Sequence, residues 1–435
     1  MKPITLYIPR DTAAVAAGVE KLIPLIQDLA QAQQQPIHIV RNGTHGLLWL
    51  EPLIEVQTPS GRVAYGPVTA NDLPSLFQAN WLQGGEHPLC HGLTTEIPYL
   101  KNQERLTFSR IGHIDPLSLD DYSSHGGWQG LQQALQLDSD DLVDQMIESG
   151  LRGRGGAAFP TGIKWKTVLK AQAPQKYIVC NADEGDSGTY SDRILMEADP
   201  YSLIEGMIIA GLAVGATRGY IYLRSEYPLA YAILQTAIQN AYQANYLGAN
   251  IQGSTHHFDL EVRLGAGAYI CGEETSLLES LEGKRGVIRF KPPLPALQGF
   301  LGQPTVVNNV VTLASVPIIY AKGASYYQQY GMGRSRGTLA FQLTGNLKRG
   351  GLVEKAFGVT LRELLFDFGG GSASGNALRA VQVGGPLGAY LPESQWDIPL
   401  DYESYAAVSA MVGHGGIVAF DQTVDMAAMA EYATE

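Results

Sequence analysis

Cysteine is scarce in this chain of 435 residues. The three cysteines, Cys90, Cys180 and Cys271, lie far apart, and none belongs to a Cys-x-x-Cys pair. The sequence therefore supports neither a disulfide scaffold, nor a zinc ribbon, nor a cysteine-ligated iron–sulfur cluster, and we expect no metal site. Few cysteines also suit a reducing compartment, so we expect a cytoplasmic protein.

Long apolar runs and positive charge are lacking as well. The stretch "SLIEGMIIAGLAVGA" contains Glu205 and is shorter than the roughly 18 apolar residues that a membrane span needs. The N-terminal "MKPITLYIPRD" has no apolar core of the kind found in signal peptides. The net charge is −12, whereas binding to a nucleic-acid backbone needs a basic surface. We expect neither membrane insertion nor a nucleic-acid partner.

Apolar residues make up 45% of the chain, and its length suits about three domains. Residues 1–110 predict the order β-α-β-β-β-α, typical of a thioredoxin-like sheet, here without cysteines that could hold a cluster. Residues 125–330 alternate strands with helices, as in a Rossmann-like α/β domain with a largely parallel or mixed sheet. Residues 335–405 give β-β-α-β, which fits a small β-grasp (ubiquitin-like, SLBB-like) module. Residues 406–435 end in an amphipathic helix, which we interpret as the start of a C-terminal helical region.

A glycine-rich segment, "GLRGRGGAAFPTGIKW", follows the first helical pattern of the central region. It formally matches a dinucleotide-binding fingerprint, but that fingerprint needs a strand before it and a helix after it. Here a helical pattern comes before, and Pro160 and Gly162 obstruct an immediate helix after it, so we expect an irregular loop. Glycine N–H groups beside positive charge suit a phosphate, although a flexible surface loop remains the alternative. The charges are those of Arg152, Arg154, Lys164 and Lys166.

Acidic side chains form two further candidate sites. The loop "CNADEGDSGTYSDR" follows an apolar strand, where ligands bind in α/β sheets, and its carboxylates suit acid–base catalysis or contacts to ribose and ring N–H groups. The segment "GAGAYICGEETSLLESLEG" opens a helix with Glu273 and Glu274, for which simple helix capping is the alternative. Lys291 in "KPPLP" and Asn308 and Asn309 in "PTVVNNV" add one charge and two amides.

These five segments, in this order, resemble the flavin-bearing, NADH-oxidising subunit of respiratory complex I and its soluble relatives. The resemblance covers about residues 125–435. The cysteine-free N-terminal unit, with "IPRDTAA" and "RNGTHGLLWLEPLIEV", resembles that of the β subunit of molybdenum-dependent, NAD-linked formate dehydrogenases. The diaphorase subunit of NAD-reducing hydrogenases is the second resemblance.

The resemblance implies FMN and NAD as cofactors and gives residues for each. FMN would be held by Gly153, Arg154, Gly155, Gly156, Lys164, Asn181, Asp183, Glu184, Tyr269, Gly272, Glu273, Glu274, Asn308 and Asn309. NAD would stack near Phe159 and be gripped by Asp186, Glu274 and Lys291. No catalytic acid, base or nucleophile is assigned, because hydride passes directly between nicotinamide and flavin.

The sequence departs from the family pattern in two ways. Asp186, Thr167 and Leu294 stand where the family usually has Glu, a bulkier apolar residue and an aromatic residue, which leaves the adenine side of the NAD site open. The family also continues into a helical domain with a Cys-x-x-Cys-x-x-Cys motif for a 4Fe–4S cluster. The sequence ends at Glu435 before such a motif, so we expect that this helical iron–sulfur domain, and with it the cluster ligands, is absent from the chain.

The function that follows is exchange of hydride between NAD(H) and FMN, and of electrons with iron–sulfur partner subunits. The resemblance favours a soluble NAD-dependent formate dehydrogenase, whose partners would be a thioredoxin-like iron–sulfur γ subunit and a molybdenum/iron–sulfur α subunit. The alternatives are a hydrogenase diaphorase, a complex I flavoprotein subunit, a truncated docking module without turnover, and a dehydrogenase without flavin.

Overall fold

The computed structural model describes residues 3–434, and these residues form three five-stranded sheets and one two-stranded ribbon. Helices cover the sheets, so the predicted α/β class is confirmed in this general form. Among residues 3–434, no helix is both long enough and apolar enough to cross a membrane.

The first sheet belongs to the N-terminal unit. Its strand Ile4–Tyr7 runs parallel to Ile37–Val40 and antiparallel to Ile54–Thr58, and the helix Val19–Ala32 buries its apolar side against them. The expected order of elements is present, and a fifth strand follows it. In spatial order the strands are Ile37–Val40, Ile4–Tyr7, Ile54–Thr58, Gly61–Tyr65 and Cys90–Leu93. The thioredoxin-like assignment of this unit stays a prediction.

The central sheet is parallel except at one edge. In spatial order its strands are Thr305–Asn309, Tyr177–Ala182, Arg218–Leu223, His257–Leu264 and Gly248–Ala249. The helices between and around these strands are Ser139–Ser149, Thr161–Lys170, Ser191–Ala198, Pro200–Val214, Pro228–Gln243, Glu274–Leu281 and Val310–Lys322. Asn309 pairs in register with Asn181, so the loops that follow these two strands leave the same edge of the sheet side by side.

The apolar stretch around Glu205 is a core helix, Pro200–Val214, in which every residue is buried. It packs against the helix Val310–Lys322. The Glu205 carboxylate accepts hydrogen bonds from the Tyr122 hydroxyl and the Trp128 N–H, at 2.6 and 2.8 Å. A buried acid is thus kept in the interior by donors from a neighbouring segment.

The expectation that Pro160 and Gly162 obstruct an immediate helix is wrong, because the helix Thr161–Lys170 begins directly after Pro160. Proline disrupts a helix only in its interior; at the start, its missing N–H would have no partner anyway. A Cβ at Gly162 would lie 2.6 Å from the backbone nitrogen of Ile147, so glycine lets two helices approach closely. Since the element before the loop is the helix Ser139–Ser149, the strand needed for a dinucleotide fingerprint is still missing.

The third sheet forms the C-terminal module. In spatial order its strands are Gly351–Ala356, Thr338–Gly345, Gly416–Asp421, Leu378–Val383 and Ala389–Leu391. The central strand Gly416–Asp421 lies in the segment for which the sequence predicts a helical region, so the boundary at residue 405 is wrong. This strand is stabilised by pairing with Thr338–Gly345, more than 70 residues earlier, which local pattern does not reveal. Only Met426–Thr434 of that segment forms the expected terminal helix.

Glu354, in the strand Gly351–Ala356, joins the N-terminal unit to the C-terminal module. Its buried carboxylate accepts hydrogen bonds from the backbone N–H groups of Leu106, Thr107 and Phe108, at 2.9 to 3.0 Å, and from the Thr338 hydroxyl. Three successive N–H groups on one carboxylate fix the linker between the units in place.

Candidate functional site

Two cavities adjoin at the carboxyl edge of the central sheet, with volumes of about 290 and 450 Å³. We call the smaller one the acidic cavity, after its wall residues Glu184, Asp186, Asp192 and Glu273. We call the larger one the lysine cavity, after Lys164 and Lys291. Both are lined by Gly155, Asn181, Gly272, Glu273 and Asn309, so they form one continuous cleft of the size that holds a cofactor.

The glycine-rich loop forms one wall of the cleft, as the sequence predicts. A Cβ at Gly155 would lie 2.9 Å from the Cβ of Asn309, so a side chain there would force the wall to shift. Gly156 has a φ of 107°, a conformation that favours glycine. Gly153 lines the lysine cavity, and its N–H donates to the Phe159 carbonyl. Of the three predicted glycines, Gly153 and Gly155 thus line the cleft, whereas Gly156 lines neither cavity.

Arg154 does not contribute its charge to the cleft, so its place among the phosphate-binding residues is wrong. The side chain is fully buried, and its guanidinium donates to the carbonyls of Arg336 and Thr338 and to the Tyr327 hydroxyl. Its backbone N–H is engaged too, with the Thr312 hydroxyl at 2.8 Å. Arg154 holds the loop from behind, because the fixed fork of guanidinium donors matches several carbonyls at once.

Two lysines enter the lysine cavity. The Lys164 ammonium donates to the Val307 carbonyl at 2.7 Å and lies 3.4 Å from the Glu274 carboxylate. Lys291 lies 3.0 Å from Glu273 and 2.9 Å from Glu274. Burial opposes the charged form of Lys291, but these two glutamates raise its pKa. The lysine cavity thus holds two ammonium groups that are paired with the carboxylates of Glu273 and Glu274.

The same cavity carries an aromatic residue and two of the departures from the family pattern. Phe159 lines it with half of its surface exposed, and Thr167 and Leu294 line it as well. The predicted NAD-site residues Phe159, Glu274 and Lys291 therefore share one cavity.

The asparagine pair is held in a fixed orientation. The side-chain oxygen of Asn308 accepts from the Trp165 indole N–H at 3.0 Å, which leaves its amide N–H groups for the cavity. The side-chain oxygen of Asn309 accepts from the Val311 N–H at 2.9 Å and so caps the helix Val310–Lys322. The N-terminus of this helix therefore lies at the wall of the cleft, where the positive end of the helix dipole favours an anion.

The polar side chains of the loop "CNADEGDSGTYSDR" have different surroundings. Tyr269 donates its hydroxyl to Asp186 at 2.7 Å, and both line the acidic cavity. Burial raises the pKa of Asp183 to about 6. Asn181 donates to the Gly272 carbonyl at 2.8 Å, which joins the two acidic segments across the cleft.

Glu184 is less available to a ligand than expected. Its carboxylate accepts from the N–H groups of Asp192 and Arg193, at 2.8 and 3.0 Å, and from the Tyr227 hydroxyl. Both oxygens are thus engaged within the protein, where they cap the helix Ser191–Ala198. Glu184 forms part of the cavity wall, but its carboxylate stabilises the protein rather than facing a ligand.

Two wall residues come from the C-terminal module, and sequence reasoning missed both. His414 and Leu387 line the acidic cavity together with Asp192. Asp192 lies in the acidic loop "CNADEGDSGTYSDR", but His414 is more than 200 residues away from it. The glycines that surround His414 in "VGHGG" are the only local signal.

These features fit a phosphorylated, planar aromatic cofactor such as FMN. Lys164 and a helix N-terminus suit the phosphate, and amides and backbone N–H groups suit the polar edges of a ring. The glycine wall, where a Cβ at Gly155 would crowd Asn309, leaves room for a flat group beside the backbone.

Comparison with known proteins agrees with this fit. Residues 146–318 match the family model of the Nuo51 FMN-binding domain. The chain is 48% identical over 332 residues to the NADP-reducing hydrogenase subunit HndC of Solidesulfovibrio fructosivorans, a match that covers 76% of this chain and 68% of that one. It is 44% identical over 326 residues to an NADH-quinone oxidoreductase subunit of Escherichia coli, covering 74% and 73%.

A solved structure resembles nearly the whole chain. The NAD+-reducing [NiFe]-hydrogenase in its air-oxidized state matches with a TM-score of 0.63 and 30% identity. The match covers 99% of this chain and 71% of that one.

Proposed function

The chain belongs to the complex I flavoprotein and diaphorase family, and from this premise we propose that it exchanges hydride between NAD(H) and bound FMN. The observation that carries the proposal is the continuous cleft, with a glycine wall on one side and lysines at one end. FMN, when bound, supplies the chemistry that links a two-electron hydride to single-electron carriers.

The residues of the cleft bind and orient, and none has to act as a nucleophile. Lys164 and the amide N–H groups of Asn308 would hold the phosphate of FMN, and Asn181 and Tyr269 would contact its ring. NAD would be held near Phe159, with Asp186, Glu274 and Lys291 at its ribose and phosphate groups. Such positioning is the main contribution of a protein to hydride transfer, because the reacting atoms must be held close and aligned.

We propose that the complete assembly is an NAD-dependent formate dehydrogenase in the cytoplasm. The support is the sequence of the N-terminal unit, which we interpret as a thioredoxin-like domain, followed by the flavin domain and a β-grasp module. Its partners would be a thioredoxin-like iron–sulfur γ subunit and a molybdenum/iron–sulfur α subunit. Electrons would reach a 4Fe–4S cluster outside the residues of this sequence.

A hydrogenase diaphorase is the second candidate. The match to the NAD+-reducing hydrogenase structure includes the N-terminal unit, since it covers 99% of the chain. Both candidates share the same flavin and NAD chemistry and differ only in the electron donor.

The test is to purify the full chain with its partner subunits, to measure flavin content, and to assay NADH oxidation with ferricyanide as acceptor. We expect FMN-dependent turnover. A protein that binds added FMN but never oxidises NADH would contradict the proposal and support a docking module. Reduction of NAD by formate but not by hydrogen would distinguish formate dehydrogenase from hydrogenase.

A further inference from the structure

The acidic cavity has an unusual charge balance. Four carboxylates lie in its wall, those of Glu184, Asp186, Asp192 and Glu273. His414 is the one residue of that described wall that can carry positive charge. The cavity is therefore electrostatically unfavourable for an electron-rich ligand unless this imidazole is protonated.

His414 reaches the cavity from the C-terminal module. It lies just before the strand Gly416–Asp421, and its carbonyl accepts from the Gln342 side chain at 2.8 Å. Gln342 also accepts, through its side-chain oxygen, from the backbone N–H groups of Tyr190 and Ser191. The imidazole is thus fixed between the module and the acidic loop, and it is 7% exposed.

The imidazole lies between two buried carboxylates. Its Nε2 is 3.1 Å from Asp192 Oδ1, 3.4 Å from Glu184 Oε1 and 3.1 Å from the Ser191 hydroxyl. Asp192 Oδ1 is buried and has no hydrogen-bond partner apart from this contact. An isolated buried carboxylate oxygen is costly, so the geometry requires a cation or a donor at Nε2.

The two arginines near this cluster are engaged with other partners. The Arg193 guanidinium pairs with Glu197 at 3.3 Å, and the Arg224 guanidinium contacts the Glu184 carbonyl and Glu226. Tyr227 gives a neutral hydroxyl to Glu184. Burial disfavours the charged imidazole, but Asp192 and Glu184 raise the pKa of His414 well above its usual range.

The cluster is connected to the cleft wall. Asp192 Oδ2 accepts from the Asn309 side-chain amide at 2.7 Å, and Asn309 lines both cavities. A change in the position or charge of Asp192 is therefore transmitted to an amide that faces the ligand.

We propose that protonated His414 is a positioning residue that sets the charge of the acidic cavity, holds Asp192 on Asn309, and makes reduction of the bound flavin easier. The inference rests on the proposed function. Hydride brings two electrons and one proton, so the occupant of the cavity gains negative charge. Glu273 is already paired with Lys291, whereas the buried carboxylates of Asp192 and Glu184 oppose that gain, and the imidazolium between them offsets it.

The test uses the FMN-loaded full chain and three variants: His414→Gln, Asp192→Asn and the double variant. The readouts are the two-electron reduction potential of the flavin and the dissociation constant of FMN. We expect His414→Gln to disfavour reduction about tenfold, equivalent to about 30 mV. The double variant should return toward the wild-type potential, because it removes one positive and one negative charge together.

His257→Gln is the matched control, since this exposed imidazole pairs with Asp259 at 2.8 Å outside the cleft. It should leave the potential unchanged. The inference is overturned if His414→Gln keeps the wild-type potential, or if the double variant is further from wild type than His414→Gln, as a pure packing role predicts. Stoichiometric zinc that is lost in His414→Gln would overturn it too, because a zinc-bound imidazole is neutral. If the proposed function itself is wrong, NADH will not reduce the flavin of the wild-type protein, and this outcome is distinct from those above.

Discussion

The helix Thr161–Lys170 carries a lysine in the cleft and another on the surface. Comparing them tests whether FMN binding depends on a direct contact or on overall charge. Lys164 enters the cleft, whereas Lys166 forms an exposed pair with Asp144 at 3.2 Å. A charge-assisted hydrogen bond contributes about 1.5–3 kcal/mol, and about 1.4 kcal/mol is a tenfold change in affinity. We therefore expect Lys164→Ala to weaken FMN binding at least about tenfold.

Equilibrium titration with FMN, followed by flavin fluorescence, measures this effect. Lys166→Ala is the control and should bind FMN like the wild type. Equal weakening in both variants would mean that overall charge, rather than a contact in the cleft, governs affinity.

For single residues, the sequence predicts which residue types lie in the cleft, but not the direction of each side chain. Lys164, Asn308, Asn309 and Phe159 all lie in the cleft, as their motifs indicate. Arg154 looks equivalent to Lys164 in sequence, yet it turns toward carbonyls more than 180 residues away. The direction of a side chain in a loop depends on such distant partners, which one sequence does not reveal.

The buried side chain of Arg154 stabilises the glycine-rich loop. Arg154→Leu removes four hydrogen bonds, which the guanidinium donates to the Tyr327 hydroxyl and to three carbonyls, those of Arg152, Arg336 and Thr338. We expect a loss of at least about 3 kcal/mol, because each unsatisfied buried group costs about 1–3 kcal/mol. Thermal unfolding should show a lower Tm, and FMN affinity should fall as well, since the loop forms the wall of the cleft.

The control for this variant is Arg362→Leu, because Arg362 forms exposed ion pairs with Asp397 and Glu393. Exposed pairs contribute about 0–1 kcal/mol, so its Tm should stay close to that of the wild type. An unchanged Tm in Arg154→Leu would disprove the role of Arg154 in holding the loop.

Element types are easier to predict than their limits. The strand Tyr177–Ala182 and the helix Pro200–Val214 follow directly from apolar pattern. The helix after Pro160 escapes prediction because the same proline that would obstruct a helix interior is a favourable start. The strand Gly416–Asp421 escapes it because its partners are distant in sequence.

Across the whole molecule, several buried carboxyl groups hold their protons more tightly than in the unfolded chain. The clearest is Glu51 of the N-terminal unit, where burial raises the pKa to about 8. A raised carboxyl pKa contributes stability that is full below the unfolded value and is lost as pH rises through the folded value. The contribution of Glu51 therefore declines between pH 4.5 and about 8.

Thermal unfolding at pH 5 and pH 8 measures this contribution. We expect Glu51→Gln to reduce the fall in Tm between these two values, because glutamine does not ionise. Glu96→Gln changes an exposed carboxylate paired with Lys101 and should keep the wild-type pH dependence. A Glu51→Gln variant with the same pH dependence as the wild type would contradict this account.

The sequence predicts separate units, but not which residues join them. Glu354 fixes the linker after the N-terminal unit, and His414 of the C-terminal module lines the cleft. Both contacts join residues far apart in the chain, so neither the units' composition nor their spacing predicts them. The cleft is a product of two units rather than of the central sheet alone.

The measurement that tests the central claim most directly is an anaerobic titration of the FMN-loaded chain with NADH, followed by flavin absorbance. The account predicts that equimolar NADH bleaches the flavin, because the nicotinamide and the flavin occupy one cleft. A flavin that stays oxidised in excess NADH, yet is reduced by dithionite, would contradict it.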